Sequence, residues 1–252
     1  MKLSGKTAIV TGGYRGLGLT IAKAYLSEGA KVAICGRSIE NLKNLEETLK
    51  EYQGGYLWSV CDITVPLQVS NFIKKVLYEF KSVDILVNNA AIFGDNQKLV
   101  DYDPQVFRDV ISVNLIGAFN MIQGVLPHMV EQDYGKIVNV TGSVSLEDES
   151  FHGGAYYASK LGLQAIGEVL ASECTDSKLT SNGVNAAGIK QGGNNPFYDE
   201  SKNRELISPD SVKDLFLYLA SADSNGVNGK CFNVIDWARE HGQKSATPIP
   251  AS

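Results

Sequence analysis

The sequence predicts an α/β protein with a doubly wound, parallel, seven-stranded sheet and helices on both of its faces. Short apolar runs rich in β-branched residues alternate along the chain with longer stretches in which apolar residues recur at helical spacing. Strands that alternate with helices form βαβ units, which close into a parallel sheet through right-handed crossovers. A glycine-rich turn directly follows the first apolar run, at a position where open sheets of this kind bind ligands.

The alternation sets the order of the elements. The predicted strands are residues 7–10, 32–35, 56–60, 85–87, 137–140, 183–187 and 231–235. Helical patterns lie between them, for example Leu17, Ile21 and Tyr25. Because the alternation is continuous, we expect a single domain over residues 1–238. The tail, residues 239–252, contains two prolines that make it a poor helix or strand, so we expect it to be loosely ordered.

The composition is that of an ordinary soluble globular protein. Among 252 residues, 44% are apolar and 20% are charged, which argues against a disordered chain. The formal net charge is −5 and the basic residues are scattered, so we expect no nucleic-acid partner. The apolar run after Lys6 is too short for a secretory signal, which favours a cytoplasmic location.

The cysteines do not form a recognisable metal or disulfide pattern. They lie far apart, without a CxxC pair or a histidine spacing suited to zinc. We expect no metal site and interpret the cysteines as small buried hydrophobic residues in a reducing compartment. They are Cys35, Cys61, Cys174 and Cys231.

Residues 110–130 carry no formal charge when histidine is counted as neutral, and they are long enough to span a bilayer. Asn114, Asn120, Gln123 and Pro127 interrupt the segment. Burying several amides in lipid is costly, so we expect no membrane partner and a helix buried on most sides inside protein. Such a helix also indicates a subunit contact.

The turn after the first predicted strand reads Thr11-Gly-Gly-Tyr-Arg-Gly-Leu-Gly18, and the helical spacing begins at Leu17. Glycines let the backbone approach a ligand closely, and the free amides and dipole of the helix N-terminus favour a pyrophosphate. A purely structural turn is the alternative. The strand before the turn and the helix after it favour the nucleotide interpretation.

Together with this turn, four further motifs resemble the short, single-domain branch of the short-chain dehydrogenase/reductase family. They are Asn88-Asn89-Ala90, Asn114, Ser143 and Tyr156-x-x-x-Lys160, in the family's order and spacing over about residues 1–235. The resemblance implies a Rossmann domain that holds NAD(P) and assembles as a homo-oligomer, either a dimer or a tetramer. It also implies a catalytic set of Asn114, Ser143, Tyr156 and Lys160.

The tyrosine and lysine of this set suit proton transfer. Tyr156 and Lys160 are four residues apart in a helix-prone segment and therefore share a face. An ammonium lowers the pKa of a nearby phenol, whereas burial raises it. We expect the first effect to dominate, so that Tyr156 donates a proton to a substrate carbonyl. Chance occurrence of the tyrosine–lysine spacing is the alternative for this motif taken alone.

The resemblance supplies further roles for the catalytic set. It implies that Ser143 holds the substrate oxygen, that Lys160 also binds the nicotinamide ribose, and that Asn114 fixes a water that relays protons to Lys160. The neighbours Tyr157 and Ser145 lack the family's spacing.

The predicted cofactor is NADP(H), with NAD(H) as the alternative. An acidic residue at the end of the second strand commonly accompanies NAD preference. Here Gly36 takes that place, and Arg37 and Arg15 could converge on a 2′-phosphate. The alternative is that both arginines are solvated surface charges. The predicted cofactor-binding residues are Gly12, Tyr14, Arg15, Gly16, Leu17, Gly18, Arg37, Ser38, Asp62, Ile63, Asn89, Ala90, Ala91, Tyr156 and Lys160.

The chain departs from the family's pattern after the sixth strand, where a Pro-Gly pair is missing. Gly188 or Gly192-Gly193 could restore the turn. About residues 190–205 would form a substrate lid, with Phe197 and Tyr198 as apolar contacts, or an ordinary surface loop.

Other departures leave alternatives open. Ala91 replaces a glycine of the family. Glu147-Asp148-Glu149 either favours a cationic substrate or is a run of solvated loop charges, and His152 is interpreted as a polar loop residue. Trp237 either packs at a subunit contact or covers the sheet.

The sequence therefore predicts an NADP(H)-dependent oxidoreductase of the carbonyl reductase type, which interconverts a ketone and a secondary alcohol. One alternative is an NAD-dependent alcohol or sugar dehydrogenase on the same fold. Another is a catalytically silent cofactor-binding or scaffolding protein. The small-molecule substrate is open among acyl thioesters, polyketides, sugars and steroid-like ketones.

Overall fold

The structure, a computed structural model, describes residues 1–142, 153–175, 178–186 and 208–241. Its strands are β1 (Thr7–Thr11), β2 (Lys31–Gly36), β3 (Tyr56–Val60), β4 (Ile85–Asn88), β5 (Gly135–Thr141), β6 (Leu179–Asn185) and β7 (Cys231–Asn233). All pair in parallel and form one seven-stranded sheet in the order β3-β2-β1-β4-β5-β6-β7. The predicted fold class is confirmed.

Eight α-helices lie in the described residues. They are α1 (Gly16–Ser27), α2 (Ile39–Thr48), α3 (Pro66–Phe80), α4 (Pro104–Ile111), α5 (Ala118–Glu131), α6 (Gly154–Glu173), α7 (Lys213–Ala220) and α8 (Val234–Glu240). A π-helical turn, Ser112–Gly117, joins α4 to α5. Short 3₁₀ turns follow α2 and α7 and precede α4 and α7.

The sheet is buried on both faces because successive side chains of each strand point to opposite sides. In β1, Ala8 and Val10 pack with α1, α2 and α7, whereas Ile9 packs with α3, α5 and α6. The Tyr25 hydroxyl of α1 donates a 3.0 Å hydrogen bond to the Phe216 carbonyl of α7. This bond joins two helices of one layer, and the other layer packs on the opposite face of the same sheet.

The strand order reverses between β1 and β4. The chain runs outward from β1 to β3, then crosses back to β4 and continues to the other edge. Open α/β sheets bind ligands at this switch point, beyond the carboxyl ends of the strands. Here Gly12 and Asn89 directly follow β1 and β4.

The C-terminal boundaries differ from the prediction. β7 ends at Asn233 because the Asn233 side chain caps α8, accepting hydrogen bonds from the amides of Ile235 (2.9 Å) and Asp236 (3.4 Å). α8 runs two residues past the predicted boundary at 238, and residues 242–252 lie outside the described residues. Trp237 packs into the core beside Tyr218, which favours the interpretation that it covers the sheet.

Residues 104–131 form a helix that is long and apolar enough to span a membrane by length and composition. Met121, Val125 and Met129 lie in the core, but Phe119 and Val130 are 40% and 65% exposed. Within the described residues of this chain, 39% of the most apolar stretch is buried, so the predicted burial on most sides inside protein, which includes a subunit contact, is not reached by this chain alone. Among the described residues, one face of the helix packs against the rest of the chain.

The cysteines are not all buried as predicted. Cys35 and Cys61 are buried, whereas Cys231 is exposed because β7 is an edge strand. In the portions of the chain that the structure describes, no group of three or more His, Cys, Asp or Glu side chains could hold a metal ion.

Candidate active site

A cleft of about 470 Å³ opens at the carboxyl edge of the sheet, over the switch point between β1 and β4. The glycine turn forms one part of its wall and the Tyr156–Lys160 face of α6 forms another. The predicted residues that line the cleft are Gly12, Tyr14, Arg15, Gly16, Leu17, Gly18, Arg37, Asp62, Ile63, Asn89, Ala90, Ala91, Tyr156 and Lys160.

The glycine turn lines the cleft with backbone that carries no side chains at its glycine positions. Gly12 and Gly16 have φ of +65° and +52°, in the left-handed region that favours glycine. A Cβ on Gly18 would lie 2.5 Å from Asn89 Nδ2 and 2.6 Å from the Gly12 carbonyl oxygen. Asn89 Nδ2 also donates a 2.9 Å hydrogen bond to the Thr11 carbonyl, which fixes the turn to the end of β4.

The N-terminus of α1 faces this cleft without a side-chain cap. Among the residues that the structure describes, the N-cap residue Arg15 makes no side-chain hydrogen bond to the first turn. The leading amides of a helix need acceptors, and an anion is a suitable one. The glycine cradle and these amides fit the pyrophosphate of a dinucleotide.

The end of β2 carries no carboxylate. A Cβ on Gly36 would lie 2.6 Å from Tyr14 Cε1, so the Tyr14 ring fills the space beside this glycine. The exposed Arg15 and Arg37 both line the cleft here, with Arg15 Cζ 5.7 Å from the Tyr14 ring centroid. Ser38 does not line the cleft, because its hydroxyl caps α2 and accepts a 3.3 Å hydrogen bond from the Asn41 amide.

Asp62 is fixed at the end of β3 by local hydrogen bonds. Its Oδ1 accepts from the Thr64 amide at 2.9 Å and from the Thr64 hydroxyl at 2.7 Å. Its own amide donates to Gln68 Oε1 at 2.8 Å. The carboxylate is therefore held in the wall of the cleft, next to Ile63.

Lys160 is a buried amine at the base of the cleft. Its side chain is 1% exposed, and Nζ donates a 2.6 Å hydrogen bond to the Val140 carbonyl at the end of β5. Burial disfavours the ammonium and lowers the pKa of Lys160 to about 8. Nζ lies 5.6 Å from the ring centroid of Tyr156.

Tyr156 is shielded by neighbouring rings. Its ring stacks on Phe93 with centroids 5.0 Å apart and an interplanar angle of 27°, and the Tyr157 ring lies 6.5 Å away. Burial, and secondarily the Tyr157 hydroxyl, raises the pKa of Tyr156. The net shift is opposite to the expected one: burial dominates, and Lys160, whose own ammonium is disfavoured by burial, does not offset it.

Asn114 lies in the π-helical turn and is 1% exposed. Its Oδ1 accepts a 2.8 Å hydrogen bond from the Ile92 amide, while Nδ2 donates to the Ile92 carbonyl at 2.8 Å and to the Ser159 hydroxyl at 3.0 Å. Ser159 in turn donates to the Tyr156 carbonyl at 2.6 Å. Both amide hydrogens of Asn114 are thus used by protein groups, which link three elements around Tyr156.

Several predicted residues lie outside the described residues. They are Ser143, Ser145, Glu147, Asp148, Glu149, His152, Gly188, Gly192, Gly193, Phe197, Tyr198 and the remainder of residues 187–207. The chain leading to Ser143 is described: a Cβ on Gly142 would lie 3.6 Å from Lys160 Cβ and 3.9 Å from Tyr156 Cε1. The end of β5 therefore runs beside the tyrosine and the lysine.

Sequence reasoning missed two residues of the site. Phe93 stacks on Tyr156, and its position two residues after Ala91, close to the Asn88-Asn89-Ala90 motif, is a signal that could have been used. Ser159 joins Asn114 to Tyr156 but sits inside the tyrosine–lysine motif, where it resembles any small helical residue.

The sheet order and the cleft together are those of a Rossmann-type oxidoreductase. The chain belongs to the short chain dehydrogenase family, whose sequence model matches residues 6–202. The family that the sequence motifs indicated is thereby confirmed.

Similar proteins cover nearly the whole chain. A 3alpha-hydroxysteroid dehydrogenase of Mediterraneibacter gnavus is 32% identical over 253 residues, covering 95% of this chain and 99% of that protein. The 3-oxoacyl-[acyl-carrier-protein] reductase FabG of Thermotoga maritima is 30% identical over 242 residues, covering 93% and 98%. A solved short chain dehydrogenase of Shigella flexneri 2a (strain 301), complexed with NADP, has a TM-score of 0.82 and 27% identity, covering 93% and 98%.

Proposed function

We propose that this protein is an NADP(H)-dependent oxidoreductase of the carbonyl reductase type, which interconverts a ketone and a secondary alcohol by hydride transfer. The observation that carries the proposal is that one cleft contains both the glycine turn and the Tyr156–Lys160 face of α6. A dinucleotide long enough to reach from one to the other would end beside a proton donor.

Different residues of the chain would bind different parts of the cofactor. The amides at Gly12 to Gly18 bind the pyrophosphate, Asp62 and Ile63 border the adenine, and Lys160 binds the nicotinamide ribose. A bound nicotinamide supplies or accepts the hydride. The similarity of the chain to a protein solved with NADP is in keeping with this assignment.

The preference for NADP(H) rests on charge at the end of β2. Arg15 and Arg37 are exposed into the cleft, and Tyr14 occupies the space beside Gly36. Two guanidinium groups favour a dianionic 2′-phosphate through charge-assisted hydrogen bonds.

Tyr156 is suited to act as an acid. Burial raises its pKa, so the phenol is protonated at neutral pH; it can give that proton to a carbonyl oxygen that is accepting a hydride, because the alkoxide formed there is the stronger base. Lys160, with a pKa of about 8, changes protonation near neutral pH and can return a proton to the site. We therefore assign ketone reduction as the working direction, with Ser143 holding the substrate oxygen.

We further assign the protein to the cytoplasm as a homo-oligomer. The exposed apolar residues Ile116, Phe119 and Val130 on α5 and its preceding turn would be covered by a second subunit. Sizing a dilute sample by light scattering tests the assembly; a monomer at all concentrations contradicts it.

The function is tested by titrating the purified protein with NADPH and NADH in parallel, and by following NADPH absorbance over a panel of ketones. NADPH is expected to bind about tenfold or more tightly than NADH, since two charge-assisted hydrogen bonds contribute about 1–3 kcal/mol. Equal affinities contradict the phosphate assignment. Tight binding without turnover of any carbonyl or alcohol indicates a catalytically silent cofactor-binding protein instead.

A further inference from the structure

Phe93 makes the closest aromatic contact of the general acid in the described part of the chain. Its ring stacks on that of Tyr156, with 5.0 Å between centroids and 27° between planes, and it lines the cleft. Such stacked pairs are stabilised by their quadrupoles in addition to the apolar area that they bury.

The loop at residues 92–95 is built to fix this ring. On one side, the Asn114 amide clamps both the amide and the carbonyl of Ile92 at 2.8 Å. On the other side, the Asp95 amide donates a 3.2 Å hydrogen bond to the Tyr102 hydroxyl.

Gly94 completes this fixation. Its φ is +77°, and a Cβ there would lie 2.6 Å from the Tyr102 hydroxyl oxygen and 2.7 Å from Val110 Cγ2. Only a glycine fits between these groups without displacing them. The backbone on both sides of Phe93 is therefore held in place, and the position of its ring follows from the loop.

We propose that Phe93 is a positioning residue for the reaction: its ring holds the Tyr156 ring in the orientation for proton transfer and shields one face of it from water. The proposal rests on the proposed function, because it assigns Tyr156 the role of acid. Asn114 also helps to hold the two rings relative to each other, since it anchors Phe93 through Ile92 and the Tyr156 backbone through Ser159.

The protonation of Tyr156 agrees with this role. Burial is the first cause that raises the pKa of Tyr156, and removing a stacked ring lets water approach the phenol. The titratable groups beside Tyr156 in the described residues are Lys160, with Nζ 5.6 Å from the ring centroid, and Tyr157 at 6.5 Å. Substitution of Phe93 leaves both in place, so a change in the Tyr156 titration reports on Phe93.

The test compares Phe93→Ala with Phe93→Leu, which keeps an apolar cover, and with Phe80→Ala as a matched control. Phe80 is the last residue of α3; its ring centroid lies 5.4 Å from the Lys31 amine, and it does not line the cleft. Phe93→Ala is expected to lower kcat for ketone reduction about tenfold, the equivalent of one stacked pair. It should also lower the pH at which the rate of alcohol oxidation begins to rise. Phe93→Leu should recover most of this pH shift, and Phe80→Ala should resemble the parent.

A second readout needs no substrate. The near-ultraviolet circular dichroism of Tyr156 at neutral pH, taken as the parent minus its Tyr156→Phe variant, reports how firmly this ring is held. In the Phe93→Ala background this signal should decrease. An unchanged Tyr156 signal in folded Phe93→Ala protein overturns the proposal, whatever the activity. If the signal decreases while no variant reduces any ketone, the role of Phe93 stands and the proposed function fails.

Discussion

The amine of Lys160 donates a 2.6 Å hydrogen bond to the carbonyl of Val140, so the base of the cleft is tied to the end of β5 by a buried lysine. Burial disfavours the charged amine and lowers the pKa of Lys160 to about 8. The lysine is kept at a position where burial destabilises its charged form, in accordance with a role in proton transfer.

Lys160 should make the stability of the protein depend on pH. In the unfolded chain its pKa is near 10.5, so between pH 8 and 10.5 the unfolded state binds more protons than the folded state. The free energy of unfolding therefore rises with pH across this window, by about 3 kcal/mol at most, and falls by the same amount as the pH drops through it. Urea unfolding at several pH values should show a flatter profile for Lys160→Met than for the parent. Superimposable profiles contradict the burial of a titrating amine.

Tyr156→Phe should abolish turnover and leave cofactor binding nearly unchanged. The substitution removes the proton donor but keeps the ring that stacks on Phe93. Initial rates of NADPH oxidation with a reactive ketone, and NADPH titration of the same sample, measure the two effects. Tyr157→Phe is the matched control, since it removes a neighbouring hydroxyl; turnover of the Tyr156→Phe variant at the parent rate contradicts the mechanism.

The parts of the molecule that sequence predicted are those set by local pattern. The strands follow from β-branched runs, and the glycine turn follows from backbone demands that only residues such as Gly18 meet. The sequence placed the tyrosine and lysine on one helical face, and the structure agrees.

What sequence did not predict depends on distant contacts. The direction of the Tyr156 pKa shift is decided by burial, and tertiary packing such as the stacked Phe93 ring creates that burial. The π-helical turn around Asn114 and the link through Ser159 also arise only when α4, α5 and α6 come together. No spacing in the chain encodes either of them.

Arg37→Ala should weaken NADPH binding about tenfold and leave NADH binding unchanged, because the contact proposed for this cleft-lining side chain is with the additional phosphate of NADPH alone. Arg15→Ala should act in the same direction. Titration of each variant with both nucleotides measures the effect. Arg239→Ala on α8 is the control, since this arginine pairs with Asp236 at 3.6 Å and does not line the cleft. Equal losses for NADPH and NADH contradict a phosphate contact.

Ser159→Ala should lower both stability and activity, because it removes the acceptor of the buried Asn114 Nδ2 and the donor to the Tyr156 carbonyl. Leaving a buried amide hydrogen without a partner costs about 1–3 kcal/mol. Ser172→Ala is a matched control on the same helix: its exposed hydroxyl makes the same kind of bond, 2.7 Å to the Val169 carbonyl, and its loss should cost little. Urea unfolding and kcat for ketone reduction are measured on both variants. If the two substitutions have equally small effects on stability and kcat, Ser159 does not hold Asn114 and Tyr156 together.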